Sequence, residues 1–285
     1  MFKADRIRNT EVRCNSERII YNTIRIMKRI ILILTILFSI GNLHAQDYQF
    51  RPNINKDSLL NASLKDLPEE MRKEYLKTYK KCNKQTKEFL LLMISMPKSS
   101  KRDLVKDYED KKNEIDELKE EYSKLAPKNH IVDVEFEAES KILTVPEQIT
   151  IKIYELNDSD NKDLDKEPVK RSTKRKVISQ NWNLENGSKE LEEVLKSIGW
   201  TNKTLAKIKF LLEKANCISI ENGKTTTIGF ARSGLGKYSY KIFDKDLDLK
   251  QKEEFNNGCS YIYYKNNIVL EYGGGAVGSQ CFEKD

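Results

Sequence analysis

Histidine is nearly missing from this chain: its 285 residues contain two, His44 and His130. The five cysteines include no CxxC pair, so no zinc site is expected. A Ser–His or Cys–His nucleophile would have to recruit His130, which stands at the head of a strand and reads as a surface or capping residue. Glycine clusters at Ser233-Gly-Leu-Gly236 and at 273–278. Neither cluster joins a strand to a helix or carries the lysine of a phosphate loop, so both read as tight turns and close backbone approaches. The acidic segment 157–165 has the look of a calcium loop. Lys162 occupies the place of a third oxygen ligand, however, and no glycine follows. No metal and no cofactor are expected.

Basic charge is scarce where a nucleic-acid-binding surface would need it. The net charge is +7, but the first 29 residues carry +5 of it. Proteins that bind nucleic acid gather basic charge on the working surface, and the remaining chain is close to neutral. The run 170–176, rich in lysine and arginine, reads as a solvated loop beside the acidic segment.

Long apolar runs are absent too, with one short exception. Met27-Lys28-Arg29 precedes an apolar stretch at 30–40, and Ala45-Gln46 follows it. A positive start, an apolar core too short to span a bilayer and a small residue at the end describe a signal peptide over 27–45, cleaved between Ala45 and Gln46. Signal peptides stand first, so Met27 reads as the start and 1–26 as untranslated. The expected protein is exported, periplasmic or extracellular, with no membrane span left after cleavage. Cleavage leaves Cys82, Cys217, Cys259 and Cys281 in a compartment that permits disulfides. Three pairings of four are open. Cys259 with Cys281 is preferred because it closes the glycine-rich loop on a hairpin, with Cys217 as the alternative partner; Cys82 reads as a free thiol on a helix.

The rest predicts an α+β chain. Residues 46–65 are polar and read as a loose linker. Over 66–127 two helical stripes, one starting at Asp66 and one at Ser100, predict an antiparallel helical hairpin. Over 128–185, Val132, Val134 and Phe136 alternate with acids, and Ile149, Ile151 and Ile153 alternate likewise. This is the pattern of a short antiparallel β section with one solvated face. From 186 to 285 the pattern is two helices and then strands, a C-terminal α+β domain. Asn266-Asn267 reads as a two-residue hairpin turn, which pairs Lys265 with Ile268, Tyr263 with Leu270 and Tyr261 with Tyr272. One face then carries Tyr261, Tyr263, Ile268, Leu270 and Tyr272, the other Ile262, Tyr264, Val269 and Glu271.

This last region resembles an uncharacterised family of exported bacterial proteins. The resemblance lies in Ala215-Asn-Cys-Ile-Ser-Ile-Glu-Asn-Gly223, Ile228-Gly-Phe-Ala-Arg-Ser-Gly-Leu-Gly236, Tyr261-Ile-Tyr-Tyr264, Val269-Leu-Glu-Tyr-Gly-Gly-Gly275 and Gln280-Cys-Phe282. It implies no activity and no catalytic residue. The residues themselves offer two readings. On that hairpin register Glu271 is a desolvated carboxylate beside Tyr264, with Arg232 as partner; with a second acid such as Asp244 it would suit a hydrolase acting on envelope glycan. Tyr238, Tyr240, Tyr261, Tyr263 and Tyr272 would line one sheet face, as an aromatic platform for a glycan or protein partner or as ordinary core. The leading expectation is a non-enzymatic binding module.

Overall fold

A computed structural model describes residues 49–156, 176–256, 259–273 and 280–282, and the chain from Phe50 onward forms one unit. The signal peptide, the acidic segment 157–165, nearly all of the basic run and most of the 273–278 glycine stretch lie outside the described residues. Among the described residues there are seven helices and eight strands, so the mixed α+β class holds. No described helix is long and apolar enough to cross a membrane.

The linker expected over 46–65 contains a helix, α1 (Lys56–Leu64), because Asn55 caps it through Ser58 N and Leu60 and Leu64 find a buried place. The first helix of the expected hairpin is broken in two. Helix α2 (Glu69–Lys81) begins behind Pro68, not Asp66, and ends at Cys82; Asn83 then caps α3 (Lys84–Ile94) through Thr86 N. Leu60, Leu64 and Leu91 make a small core of their own, with Tyr75, Tyr79 and Ile94 packed on it. The second helix, α4 (Lys101–Leu125), starts with a reciprocal Ser100–Asp103 cap, as the sequence implied. Its Leu104, Tyr108, Ile115, Leu118 and Tyr122 enter the main core instead of facing α3. The two helical stretches therefore serve different clusters.

The strands are β1 (His130–Glu137), β2 (Gln148–Glu155), β3 (Val177–Leu184), β4 (Ser219–Glu221), β5 (Thr225–Ser233), β6 (Gly236–Phe243), β7 (Tyr261–Lys265) and β8 (Ile268–Gly273). Between β3 and β4 come α5 (Lys189–Ser197) and α6 (Asn202–Lys214), and α7 (Leu249–Glu254) precedes β7. All eight strands form one antiparallel sheet in the order β3-β2-β1-β4-β5-β6-β8-β7. The boundary drawn at 185/186 therefore does not divide the sheet: β1 pairs directly with β4. In the connection between β1 and β2, Leu143 makes an isolated antiparallel bridge with Phe50.

Helices α4, α5 and α6 pack on one face of the sheet. Val132, Val134, Ile149, Ile151, Ile220, Ile228, Tyr240 and Leu270 meet them there. Each such side chain, fully buried, stabilises by about 1.5–3 kcal/mol. On the opposite face, at the β6–β8–β7 end, Phe243, Leu247, Phe255, Tyr261 and Val269 form a smaller cluster. Cys259 and Cys281 are joined by a disulfide across a sequence separation of 22, and a loop of that size contributes about 3 kcal/mol on the chain-entropy argument. Cys217 and Cys82 are free, which sets aside the alternative pairing.

Because α1–α3 have a core of their own, Leu91→Ala should cost about 2–5 kcal/mol locally. Hydrogen exchange checks this: amides of α1 and α3 should lose protection in the variant while those of β5 and β6 keep theirs.

Candidate functional site

The acids of β1 were expected to face water, but Asp133 and Glu135 are buried and Glu137 alone of the three is partly exposed. With β2 on one side and β4 on the other, β1 lies inside the sheet, and Glu135 is only 2% exposed. A buried carboxylate needs partners. Arg232 Nε donates to Glu135 Oε1 at 2.7 Å, and Lys237 Nζ donates to Glu135 Oε2 at 2.9 Å. Lys237 also donates to Ser219 Oγ at 2.8 Å, and Arg232 also reaches Glu137 at 3.1 Å. Small residues make room for this. Gly229 pairs with Ser219 and Ser239, and a Cβ there would lie 2.1 Å from Ser219 Oγ and 2.9 Å from Lys237 Cδ. The lysine stem crosses above the glycine to reach Glu135.

The same face carries two further ion pairs. Toward β3, Lys152 Nζ donates to Asp133 at 2.8 Å and stands 4.8 Å from the centre of the Trp182 ring. Toward β7, Glu271 accepts from Tyr261 Oη at 2.9 Å and meets Lys241 Nζ at 3.5 Å. The sheet thus has an apolar face under helices and a polar face bearing alternating charges, with Trp182 near one edge.

The structure divides the expected site residues between these faces. Lys265 does face Ile268, but a bulge between Tyr263 and Lys265 shifts the rest of the hairpin, so that Tyr263 pairs with Val269 and Tyr261 with Glu271. A one-residue slip exchanges the faces of a strand. Tyr238, Tyr240 and Tyr272 lie in the main core, where Tyr238 stacks on Tyr272 at 4.2 Å. Tyr261 and Tyr263 belong to the smaller cluster on the other side. The five-tyrosine platform does not form. Glu271 lies opposite Tyr261, not beside Tyr264, and Arg232 is taken up by Glu135 and Glu137. Asp244, the second acid considered, is 73% exposed and paired with Lys119 at 3.0 Å. His130 opens β1, half-buried, opposite Glu155.

Two features of the helical side were not foreseen. Asp107 of α4 is buried in the main core; Asn216 Nδ2 donates to its Oδ1 at 2.6 Å and Tyr240 Oη to its Oδ2 at 3.0 Å. Desolvation raises its pKa, although both hydrogen bonds oppose the rise. A helical stripe of apolar residues gives no hint that one polar member faces inward; only its spacing from Leu104 and Tyr108 does. The second feature is a shallow cavity of about 140 Å³ between Phe136, Ala138, Leu212, Cys217 and Ile218, with the Lys209–Glu147 ion pair (2.5 Å) among its walls. Burial pushes the Cys217 thiol up, which keeps it protonated and poorly nucleophilic. Among the described residues no group of three or more His, Cys, Asp or Glu side chains is arranged to hold a metal ion.

Compared with family models, curated proteins and solved structures, the chain matches none.

Two substitutions test these arrangements. Glu135→Gln leaves Arg232 and Lys237 facing each other without their shared anion and should destabilise by about 3 kcal/mol in urea unfolding. Replacing Glu135 and Lys237 together by Leu and Met should cost clearly less. Asp107→Asn keeps an acceptor for Asn216 and removes the titration. Since the folded pKa lies above the usual 3.8, the neutral acid's contribution is complete below 3.8 and is lost as pH rises through the folded value. The variant should therefore gain on the natural protein as pH rises above 3.8, read as the difference in urea midpoints.

Proposed function

We propose that this protein is exported and acts as a non-enzymatic binding module, with the polar face of its sheet as the working surface. The export part rests on the signal-like segment 27–45 and on the Cys259–Cys281 disulfide, which suits an oxidising compartment. The binding part is supported chiefly by how Glu271 is held. Tyr261 and Lys241 engage its oxygens, so the carboxylate is spent on structure. A glycan hydrolase needs two carboxyl groups flanking one bond, and Asp244 is engaged elsewhere with Lys119.

The ion pairs on the polar face nearly neutralise one another, and such a surface favours partners rich in hydroxyl and amide groups over highly charged polymers. Envelope glycans and proteins both qualify.

Intact mass after thiol alkylation under denaturing conditions, with and without prior reduction, checks the reading. The expected species begins at Gln46, has Cys82 and Cys217 alkylated directly, and has Cys259 and Cys281 alkylated only after reduction. A product that retains 1–45 with every thiol reactive overturns export. Release of new reducing ends from envelope glycan, abolished by Glu271→Gln, would overturn the non-enzymatic part in favour of the hydrolase.

A further inference from the structure

The aromatic platform anticipated from tyrosines has a different candidate. The chain has two tryptophans. Trp200 is buried, and its Nε1 donates to Leu125 O at 2.8 Å. Trp182 is 53% exposed on β3, a strand that pairs only with β2 among the described residues. An indole half in water on a charged and polar sheet face is an unusual use of the largest apolar side chain.

We propose that Trp182 is the stacking platform of a site for a neutral oligosaccharide on the polar face of the sheet. The proposal rests on the binding-module reading and names the class of ligand.

The ring is held. Lys152 Nζ lies over it at 4.8 Å, and Asp133 fixes that ammonium at 2.8 Å. The cation–π contact occupies one side of the indole, and at 53% exposure the side chain still offers ring surface to a ligand. Stacking needs an apolar face with slightly positive hydrogens, because the face of the ring is negative. One face of a pyranose offers such C–H groups, while its hydroxyls project from the rim. Polar groups at the edge of the indole suit that rim. Gln180, two residues away and exposed, pairs across from Lys152 and presents a free amide.

Charge decides which glycans fit. Residues 177–184 contain no Asp, Glu, Lys or Arg, and Lys152 is already neutralised by Asp133. Among the described residues of β3, none would compensate a sulfate, phosphate or carboxylate. A neutral sugar loses no such compensation.

The test uses the full chain on an array of neutral, acidic and basic oligosaccharides together with extended peptides, followed by tryptophan emission titrations with chito-, cello- and malto-oligosaccharides. Because Trp200 is buried, a ligand-induced change at exposed-indole wavelengths reports on Trp182. The expected result is saturable binding of at least one neutral series with a blue shift in emission. Trp182→Ala should weaken it about tenfold by calorimetry, with an unchanged melting temperature. Phe210→Ala, at an exposed site on α6, should leave it alone. Absence of neutral-glycan binding, binding confined to peptides or charged glycans, or affinity unchanged in Trp182→Ala overturns the proposal. Mass analysis of the bound sugars separates the two readings: cleavage would sink the binding module whether or not Trp182 matters.

Discussion

Glu135 is the constraint around which the sheet is arranged. A carboxylate at 2% exposure is tolerable only while Arg232 and Lys237 reach it, and both come from strands on the far side of β4. Their reach fixes much else. Ser219 and Gly229 must be small so that Lys237 can cross them, and the β5–β6 pairing must bring Arg232 opposite Lys237. An apolar side chain at 135 would ask none of this of its neighbours. The cost of desolvating these charges is offset only by their mutual hydrogen bonds, so the arrangement stabilises little by itself; we infer that its value is in specifying one register.

The two faces of the sheet obey different rules. The helical face is a conventional core of aliphatic side chains and tyrosines, with Asp107 as its one deep acid. The other face is held by ion pairs and, at the β7 end, by a patch of aromatics under α7. The proposed recognition surface is thus the face whose packing is least demanding, where Trp182 is 53% exposed.

Local patterns were legible in the sequence and pairings between distant segments were not. The caps of α4 and α6 and the stripes Leu191–Leu195 and Leu205–Leu212 follow from spacing within a few dozen residues; the Cys259–Cys281 pairing was a preference among three that the sequence left open. Alternation in β1 correctly separated Val132 and Val134 from Asp133 and Glu135, but alternation gives two faces without saying what covers each. That depended on β4, dozens of residues away. Helix α1 was missed because Leu59, Leu60 and Leu64 are too few to outweigh a polar neighbourhood. The hairpin faces were exchanged by a bulge next to Tyr263, which no turn residue announces. No local pattern marks Trp182, because its exposure comes from an edge position that only the strand order reveals.

The joint between β1 and β4 carries a consequence for how the molecule assembles. Strands β1, β2 and β3 are consecutive neighbours and so are β4, β5 and β6, so each group can form from nearby chain. The two groups meet along only three residue pairs, from Asp133↔Glu221 to Glu135↔Ser219. Closing that seam spans the whole α5–α6 segment and carries the largest loop entropy in the sheet, which makes it a late folding event. The bonds from Glu135 to Arg232 and Lys237 cross this seam. Until it closes, Glu135, which ends up sealed from solvent, and its two partly buried partners are still hydrated in two half-sheets, and their desolvation falls on the final step. In kinetic terms the ionic cluster is a latch: it slows the last closure and, once engaged, resists reopening along a line of only three residue pairs.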